Sequence, residues 1–276
     1  MYGLPIELLY SAFKLKTIFS DGLTSSEVEG TGFFVRHEDV FFLVTNRHVI
    51  DLKWKHSSKN EKAQKYSGYL LSTIECSGRP SDDRIRKFII IKPDIFYSEN
   101  YTDDVAVIKL GSVLGVDDIL EPPTLNHYIS SSDIATSDKF DGKIEGVNVC
   151  DQIAFPVHSH EFSVTLDRPT FRMGWIASDP RYPLELENVT GDAFLTEAFS
   201  TSGSSGAPVF ALQKGFPVTA GSGVTLAGGL FRAACLIGVN AGHVKSPTFG
   251  HANLSYAFKS SIILNCIRNA QRKSDT

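Results

Sequence analysis

Short runs of apolar and β-branched residues, each closed by Gly, Pro, Asp or Ser, recur along the whole chain, and helical periodicity is scarce. Residues 13–19 partly alternate between apolar and polar. Residues 32–35 and 40–45 are aromatic and β-branched, and residues 88–92 are compact and apolar. Further runs follow at 105–110, 146–155, 171–177, 207–212, 233–240 and 254–258. Many short strands with turn residues between them predict an all-β protein, either a sandwich or barrels. Two segments carry apolar residues at helical spacing instead. One is Pro5 to Phe13. The other is Ser260 to Arg272, where Ile262, Ile263, Cys266 and Ile267 share a face and basic residues close the segment. Residues 53–87 read as a long polar insertion, and residues 115–143 and 178–191 as two further variable loops.

Size and composition narrow the class without naming an activity. The chain has 276 residues, enough for one large all-β domain or two small units sharing an interface, and 42% of its residues are apolar. Its net charge of −4 lacks the basic face that nucleic-acid binding needs. Local basic clusters at Lys53 to His56 and Lys62 to Lys65 are interrupted by acidic and amide residues and read as solvated loops. The four cysteines, Cys76, Cys150, Cys235 and Cys266, form no CxxC or Cys/His metal pattern, and two of them sit in apolar strand-like runs. A reducing compartment fits that usage. Residues 1–19 place Glu7 early and Lys14 and Lys16 inside, unlike a signal peptide, and no stretch approaches the ~20 apolar residues of a membrane span. The expectation is a cytoplasmic protein with no membrane partner, in which the Asn-x-Ser/Thr triplets at Asn100, Asn188 and Asn253 are chance matches.

Three segments change that picture by supplying chemistry. Thr201-Ser202-Gly203-Ser204-Ser205-Gly206-Ala207-Pro208 is a glycine-rich turn feeding an apolar run. Glycines at 203 and 206 permit backbone conformations closed to other residues, so neighbouring N–H groups can turn toward one point. Donors so arranged stabilise the oxyanion of acyl transfer by about 3 to 4 kcal/mol each. That makes Ser205 the candidate nucleophile, with the N–H groups of Gly203 and Ser205 as donors and Ser202 and Ser204 as bystanders. His48 follows the apolar run 41–44 and precedes Val49 and Ile50, which places an imidazole just past a strand end as a candidate base. Asp104 opens the run Val105-Ala106-Val107 and is favoured over Asp103 by strand phase. A partly buried carboxylate there would fix the histidine tautomer. The remaining histidines, His37, His56, His127, His158, His160, His243 and His251, lack this setting. The pair His158 and His160 has no carboxylate or cysteine at useful spacing, so no metal is expected.

In these segments the chain resembles the trypsin-like (chymotrypsin-fold) serine peptidases, and most closely their bacterial Deg-type branch. Gly30-Thr31-Gly32-Phe33-Phe34-Val35 and Leu43-Val44-Thr45-Asn46-Arg47-His48-Val49 match the opening strands and histidine motif. Asp104-Val105-Ala106-Val107 matches the aspartate motif, and Gly203-Ser204-Ser205-Gly206-Ala207-Pro208 the serine motif. Softer matches are Thr196-Glu197-Ala198, Leu236 to Asn240, and Asn253 to Phe258 before a closing helix. The resemblance runs from about residue 13 to 272 and implies two six-stranded antiparallel β-barrels. Residues 13–115 would form the first, 140–258 the second, and 259–272 a C-terminal helix. It also implies a His48, Asp104, Ser205 triad, no cofactor, and a polypeptide substrate. Phe199, Ser200, Asn240, Ala241 and Gly242 would line the primary pocket, where an uncharged Phe199 suggests a small or apolar preference. The expectation is a peptidase of this branch without a PDZ-like region.

The departures bear on activation. Ser204 stands where the family usually has Asp or Asn, so a new N-terminus would find no carboxylate to pair with. Ala207 replaces a glycine. The leading expectation is a serine endopeptidase, with an activating or targeting subunit as a possible partner. A catalytically silent or activator-dependent binding module is the alternative, and acyl transfer to a non-peptide ester a third.

Overall fold

The structure, a computed structural model, describes residues 4–56, 60–79, 86–91, 93–110, 113–115, 127–158, 168–186, 189–215, 231–245 and 253–274. Asn188, His160 and His251, and parts of the three predicted loops, lie outside the described residues.

Among the described residues nine strands make the first sheet. They are β1 (Ala12–Ser20), β2 (Ser25–His37), β3 (Val40–Thr45), β4 (Leu70–Gly78), β5 (Arg86–Ile91), β6 (Asp94–Tyr97), β7 (Ala106–Lys109), β8 (Val113–Gly115) and β9 (Ile129–Ser130). Their order is β6-β7-β3-β2-β1-β4-β5-β8, with β9 lying parallel beside β2. Phe13, Leu15, Phe34, Leu43, Ile74, Phe88, Ile90 and Ile108 come from six of these strands yet share one core, so the sheet is rolled on itself. Among the described residues no ladder joins its two ends, so this half forms a half-barrel.

The second sheet does close. Strands β10 (Gln152–Val157), β11 (Thr170–Ile176), β14 (Ala193–Glu197), β15 (Pro208–Ala211), β16 (Cys235–His243) and β17 (Ser255–Lys259) form a six-stranded barrel around Phe155, Ile176, Phe194, Val209 and Ile237. Between β11 and β14, a small hairpin pairs β12 (Leu184–Leu186) with β13 (Val189–Gly191).

Between the two sheets lies a shared core. The face of β2, β3 and β7 that looks away from the first core offers Phe33, Val35, Phe42, Val44 and Val107, which meet Ala193, Val239 and Phe258 of the barrel. These strands are therefore buried on both faces, which is why they read as unbroken apolar runs rather than as alternations. The same core receives the inner face of a C-terminal helix, Ser260–Ser274, through Ile262, Ile263, Cys266, Ile267 and Ala270. It ends two residues beyond the expected Arg272.

Among the described residues the four other α-helices are short: α1 (Ile6–Leu9), α2 (Arg47–Ile50), α3 (Leu52–His56) and α4 (Asn60–Lys65), so the C-terminal helix is α5. The helix expected over residues 5–13 stops at Leu9, because Ala12 and Phe13 already pair with Phe33 and Gly32 in β2. The polar insertion over 53–87 is in good part structured, since it holds α3, α4, all of β4 and the start of β5. Likewise the run at 146–155 becomes strand only from Gln152. Cys150 before it is exposed at a φ of 65°, and none of the four cysteines is in a disulfide. No helix among the described residues is long and apolar enough to cross a membrane.

Candidate active site

Two of the three candidate side chains, His48 and Asp104, pair directly, and the backbone of the turn that carries Ser205 docks on β2. β3 ends at Thr45, and α2 turns His48 back toward the segment before β7. Asp104 accepts from the His48 backbone N–H at 2.9 Å through Oδ1, while its Oδ2 lies 2.5 Å from His48 Nδ1. This carboxylate is buried, with its side chain 8% exposed against 19% for the imidazole. Asn46 braces the same segment by donating from Nδ2 to the Asp104 carbonyl at 2.6 Å. The neighbouring Asp103 is directed elsewhere, accepting from Ser98 Oγ and Asn100 Nδ2. Burial raises its carboxyl above the usual range, with the Ser98 hydrogen bond opposing.

Ser205 arrives from the barrel on the turn before β15. Gly203 and Gly206 both take left-handed conformations, at φ of 88° and 87°. The turn docks on β2: Thr31 N–H donates to the Ser205 carbonyl at 2.7 Å, and Thr31 Oγ1 to the Gly203 carbonyl at 2.8 Å. Gly30 is the meeting point of the two halves. A Cβ there would lie 3.1 Å from the Val49 methyls, one residue past His48, and 3.2 Å from the Ser205 carbonyl. Gly206 approaches still more closely, since a Cβ on it would be 1.9 Å from the Thr31 carbonyl oxygen.

Among the described residues, the backbone N–H groups of Gly203 and Ser205 make no hydrogen bond, while those of Ser204, Gly206 and Ala207 are taken by carbonyls of Thr201, Asn240 and Ser204. Two uncommitted donors flank the candidate nucleophile, on a turn whose other donors are satisfied. The Ser205 hydroxyl meets the Ala241 carbonyl at 3.5 Å, the outer limit of a hydrogen bond, and forms none with His48.

The expected pocket residues separate into two groups. Asn240 and Ser200 are buried, and Asn240 Nδ2 donates to Ser200 Oγ and to the Ser204 carbonyl, both at 3.0 Å. They brace the turn from inside. Ala241 is buried with its carbonyl toward Ser205, and Gly242 leaves room for the Tyr256 hydroxyl, which a Cβ there would meet at 2.8 Å. Phe199 is 43% exposed, and its ring lies 5.5 Å from the Arg172 guanidinium. Sequence reasoning missed Thr31, Asn46 and Tyr256. The first two stand inside motifs that were read for their strands, and Tyr256 alternates with inward core residues of β17. Burial, with the Asp104 charge adding to it, pushes the Tyr256 phenol up to about 12. Lys55 is held below its ordinary value by burial, against the pull of Asp104. Among the described residues no cluster of His, Cys, Asp and Glu could hold a metal ion.

No family model matches this sequence, and no curated protein matches it. Solved structures do. Protease Anisep from Arthrobacter nicotinovorans aligns over 96% of this chain and 96% of its own, at a TM-score of 0.56 and 12% identity. The MamO protease domain from Magnetospirillum magneticum aligns over 94% of this chain and 96% of its own, at a TM-score of 0.50 and 15% identity. Likeness at such low identity speaks for architecture. Joined to the rolled sheet, the closed barrel and the C-terminal helix, it shows that this chain has the chymotrypsin-like two-barrel fold.

Proposed function

We propose that the protein is a serine endopeptidase acting through an acyl-enzyme on Ser205. The observation that supports this most directly is the His48 to Asp104 pairing, set beside a serine turn with two uncommitted N–H donors. In this reading, rotation of the Ser205 hydroxyl away from Ala241 brings it to His48 Nε2, which takes its proton as Oγ attacks the scissile carbonyl. Asp104 holds the proton on Nδ1 and stabilises the imidazolium, while Gly203 and Ser205 N–H bind the oxyanion. His48 then protonates the leaving amine as the C–N bond breaks. Water, deprotonated by His48, attacks the ester and releases Ser205 and the acid product. Phe199, Ser200, Asn240, Ala241 and Gly242 form or brace the primary pocket. The Arg172 guanidinium beside Phe199 disfavours basic side chains and leaves small or apolar ones as the expected preference.

The 3.5 Å contact of Ser205 with Ala241 favours a second reading, a peptidase-fold module that is silent until an activator turns the hydroxyl. Fluorophosphonate labelling with site mapping, run beside Ser205→Ala, tests both. Labelling at Ser205 that is absent from the variant supports the enzyme, and a peptide library then separates peptidase from esterase. A folded protein that resists labelling overturns the first reading in favour of the second.

A further inference from the structure

One residue from His48, a guanidinium is packed among three aromatic rings. The Arg47 Cζ lies 4.3 Å from the ring centre of Tyr97, 4.8 Å from that of Tyr101 and 5.5 Å from that of Trp54. Its Nε donates to Asp51 Oδ2 at 3.2 Å, and the side chain is 12% exposed. Asp51 in turn accepts from the Trp54 backbone N–H at 3.0 Å, and the Trp54 indole N–H donates to the Tyr101 carbonyl at 2.9 Å. Each ring comes from a different place: Tyr97 closes β6, Tyr101 lies three residues before Asp104, and Trp54 sits in α3. Arg47 itself opens α2, which carries His48. One planar cation therefore ties the segment bearing the histidine to the segment bearing the aspartate, across the hydrogen bond that joins them.

We propose that Arg47, clasped by Tyr97, Tyr101 and Trp54, is a positioning residue that holds His48 in register with Asp104. The physical argument is one of reach. The His48 to Asp104 pairing spans two elements far apart in sequence, α2 and the β6–β7 connection, and its 2.5 Å contact tolerates little drift. A guanidinium stacks on several faces at once and keeps its fork for Asp51, whereas a lysine ammonium offers a point charge that cannot do both. The clasp stands on the rim of the site, with Tyr101 57% exposed, so it acts through the backbone it anchors rather than on substrate. As a catalytic statement this rests on the proposed peptidase reading, but the hydrogen bond that it orders is measurable without turnover.

The test uses the full chain, with Arg47→Lys, Arg47→Met, Tyr97→Phe and Tyr97→Leu. Arg36→Lys serves as control, since Arg36 also stacks on two rings, Phe41 and Tyr128, away from both segments. Proton NMR follows the His48 Nδ1–H resonance and the His48 titration, and fluorophosphonate labelling follows Ser205. In Arg47→Lys the Nδ1–H signal broadens toward solvent exchange and the labelling rate falls about tenfold, equivalent to about 1.4 kcal/mol. Arg47→Met and Tyr97→Leu behave the same way, Tyr97→Phe restores the wild-type signal and rate, and Arg36→Lys changes neither. Loss of the fold in an Arg47 variant is read from circular dichroism, and the Tyr97 pair then carries the decision. A wild-type Nδ1–H signal and titration in folded Arg47→Lys and Tyr97→Leu would overturn the proposal. Absence of labelling in the wild type, with the NMR differences intact, would sink the peptidase reading and leave the clasp standing.

Discussion

Replacing Gly206 with alanine offers the sharpest check on how the serine turn is held. A Cβ at this position would sit 1.9 Å from the Thr31 carbonyl oxygen and 2.3 Å from Thr45 Oγ1. The Thr45 hydroxyl is itself committed, donating to that same Thr31 oxygen at 2.8 Å. The Thr31 oxygen belongs to the backbone of β2, which is buried on both faces, so no rotamer change relieves the clash. The turn must lift from the strand, and that strains two hydrogen bonds, Thr31 N–H to the Ser205 carbonyl at 2.7 Å and Gly206 N–H to the Asn240 carbonyl at 2.8 Å. At about 1 kcal/mol for each bond and about 1 kcal/mol more for a side chain at positive φ, the loss is about 3 kcal/mol. For a chain of this size that lowers the melting temperature by about 6 to 12 °C. Displacing the candidate nucleophile by about 1 Å costs about a hundredfold in reaction rate. Calorimetry reads the first quantity, and the rate of fluorophosphonate labelling at 15 °C, where the variant stays folded, reads the second. A Gly206→Ala protein that melts with the wild type and labels within threefold of it would refute this account of the docking.

Two further outcomes follow from buried groups away from the serine turn. Asp151 accepts from Arg232 Nη1 at 2.6 Å, Lys214 Nζ at 3.0 Å and the Asn148 N–H at 3.0 Å, with Asp151 and Arg232 both buried. Asp151→Ala strands the guanidinium and should cost about 3 kcal/mol or more in urea unfolding, while labelling of the folded variant at Ser205 stays at the wild-type rate. Burial pushes the phenols of Tyr97 and Tyr256 up to about 12 from their ordinary 10.0. Between those values the unfolded chain has released a proton that the fold retains, so stability falls as pH rises from about 10 to about 12 and is unaffected below. Melting curves across pH 9 to 11.5 should steepen downward above 10, and Tyr97→Phe should flatten that slope. An unchanged slope would contradict the assigned cause.

Some of this molecule is written openly in its sequence. Phe33 to Val35, Phe42 to Val44 and Val105 to Ile108 read as strands because both faces are covered, one by the rolled core and one by the core between the sheets. Strand β4 is harder to see. Only Ile74, Cys76 and Gly78 of it are buried, and exposed or half-buried Leu70, Ser72 and Glu75 give it the composition of a loop. Pro5 to Phe13 fails for the opposite reason: its apolar spacing serves a four-residue helix first and a strand afterwards, and local periodicity does not show the change of partner. Asp104 rather than Asp103 lies beside His48, the residue next to the apolar run 105–108 meeting the imidazole while its neighbour turns to Ser98 and Asn100. The bracing of the serine turn by Asn240 was not legible, since a β-strand asparagine reads the same whether it faces a ligand or a carbonyl. Nor was the exposure of Phe199, which depends on how the chain leaves β14.

The C-terminal helix has a consequence for the order in which the protein becomes complete. His48 and Asp104 stand on connections of the first sheet and Ser205 on a turn of the second, so the candidate site exists only while the two sheets are held together. α5 lies against β6 and β7 of one and β16 and β17 of the other, and it follows every strand of both sheets along the chain. During synthesis the first sheet can roll up before this helix and the adjoining barrel strand β17 are available. Without its Ile262, Ile263, Cys266 and Ile267, the core between the sheets lacks one wall. A nascent chain would thus carry every candidate catalytic side chain before it could align them.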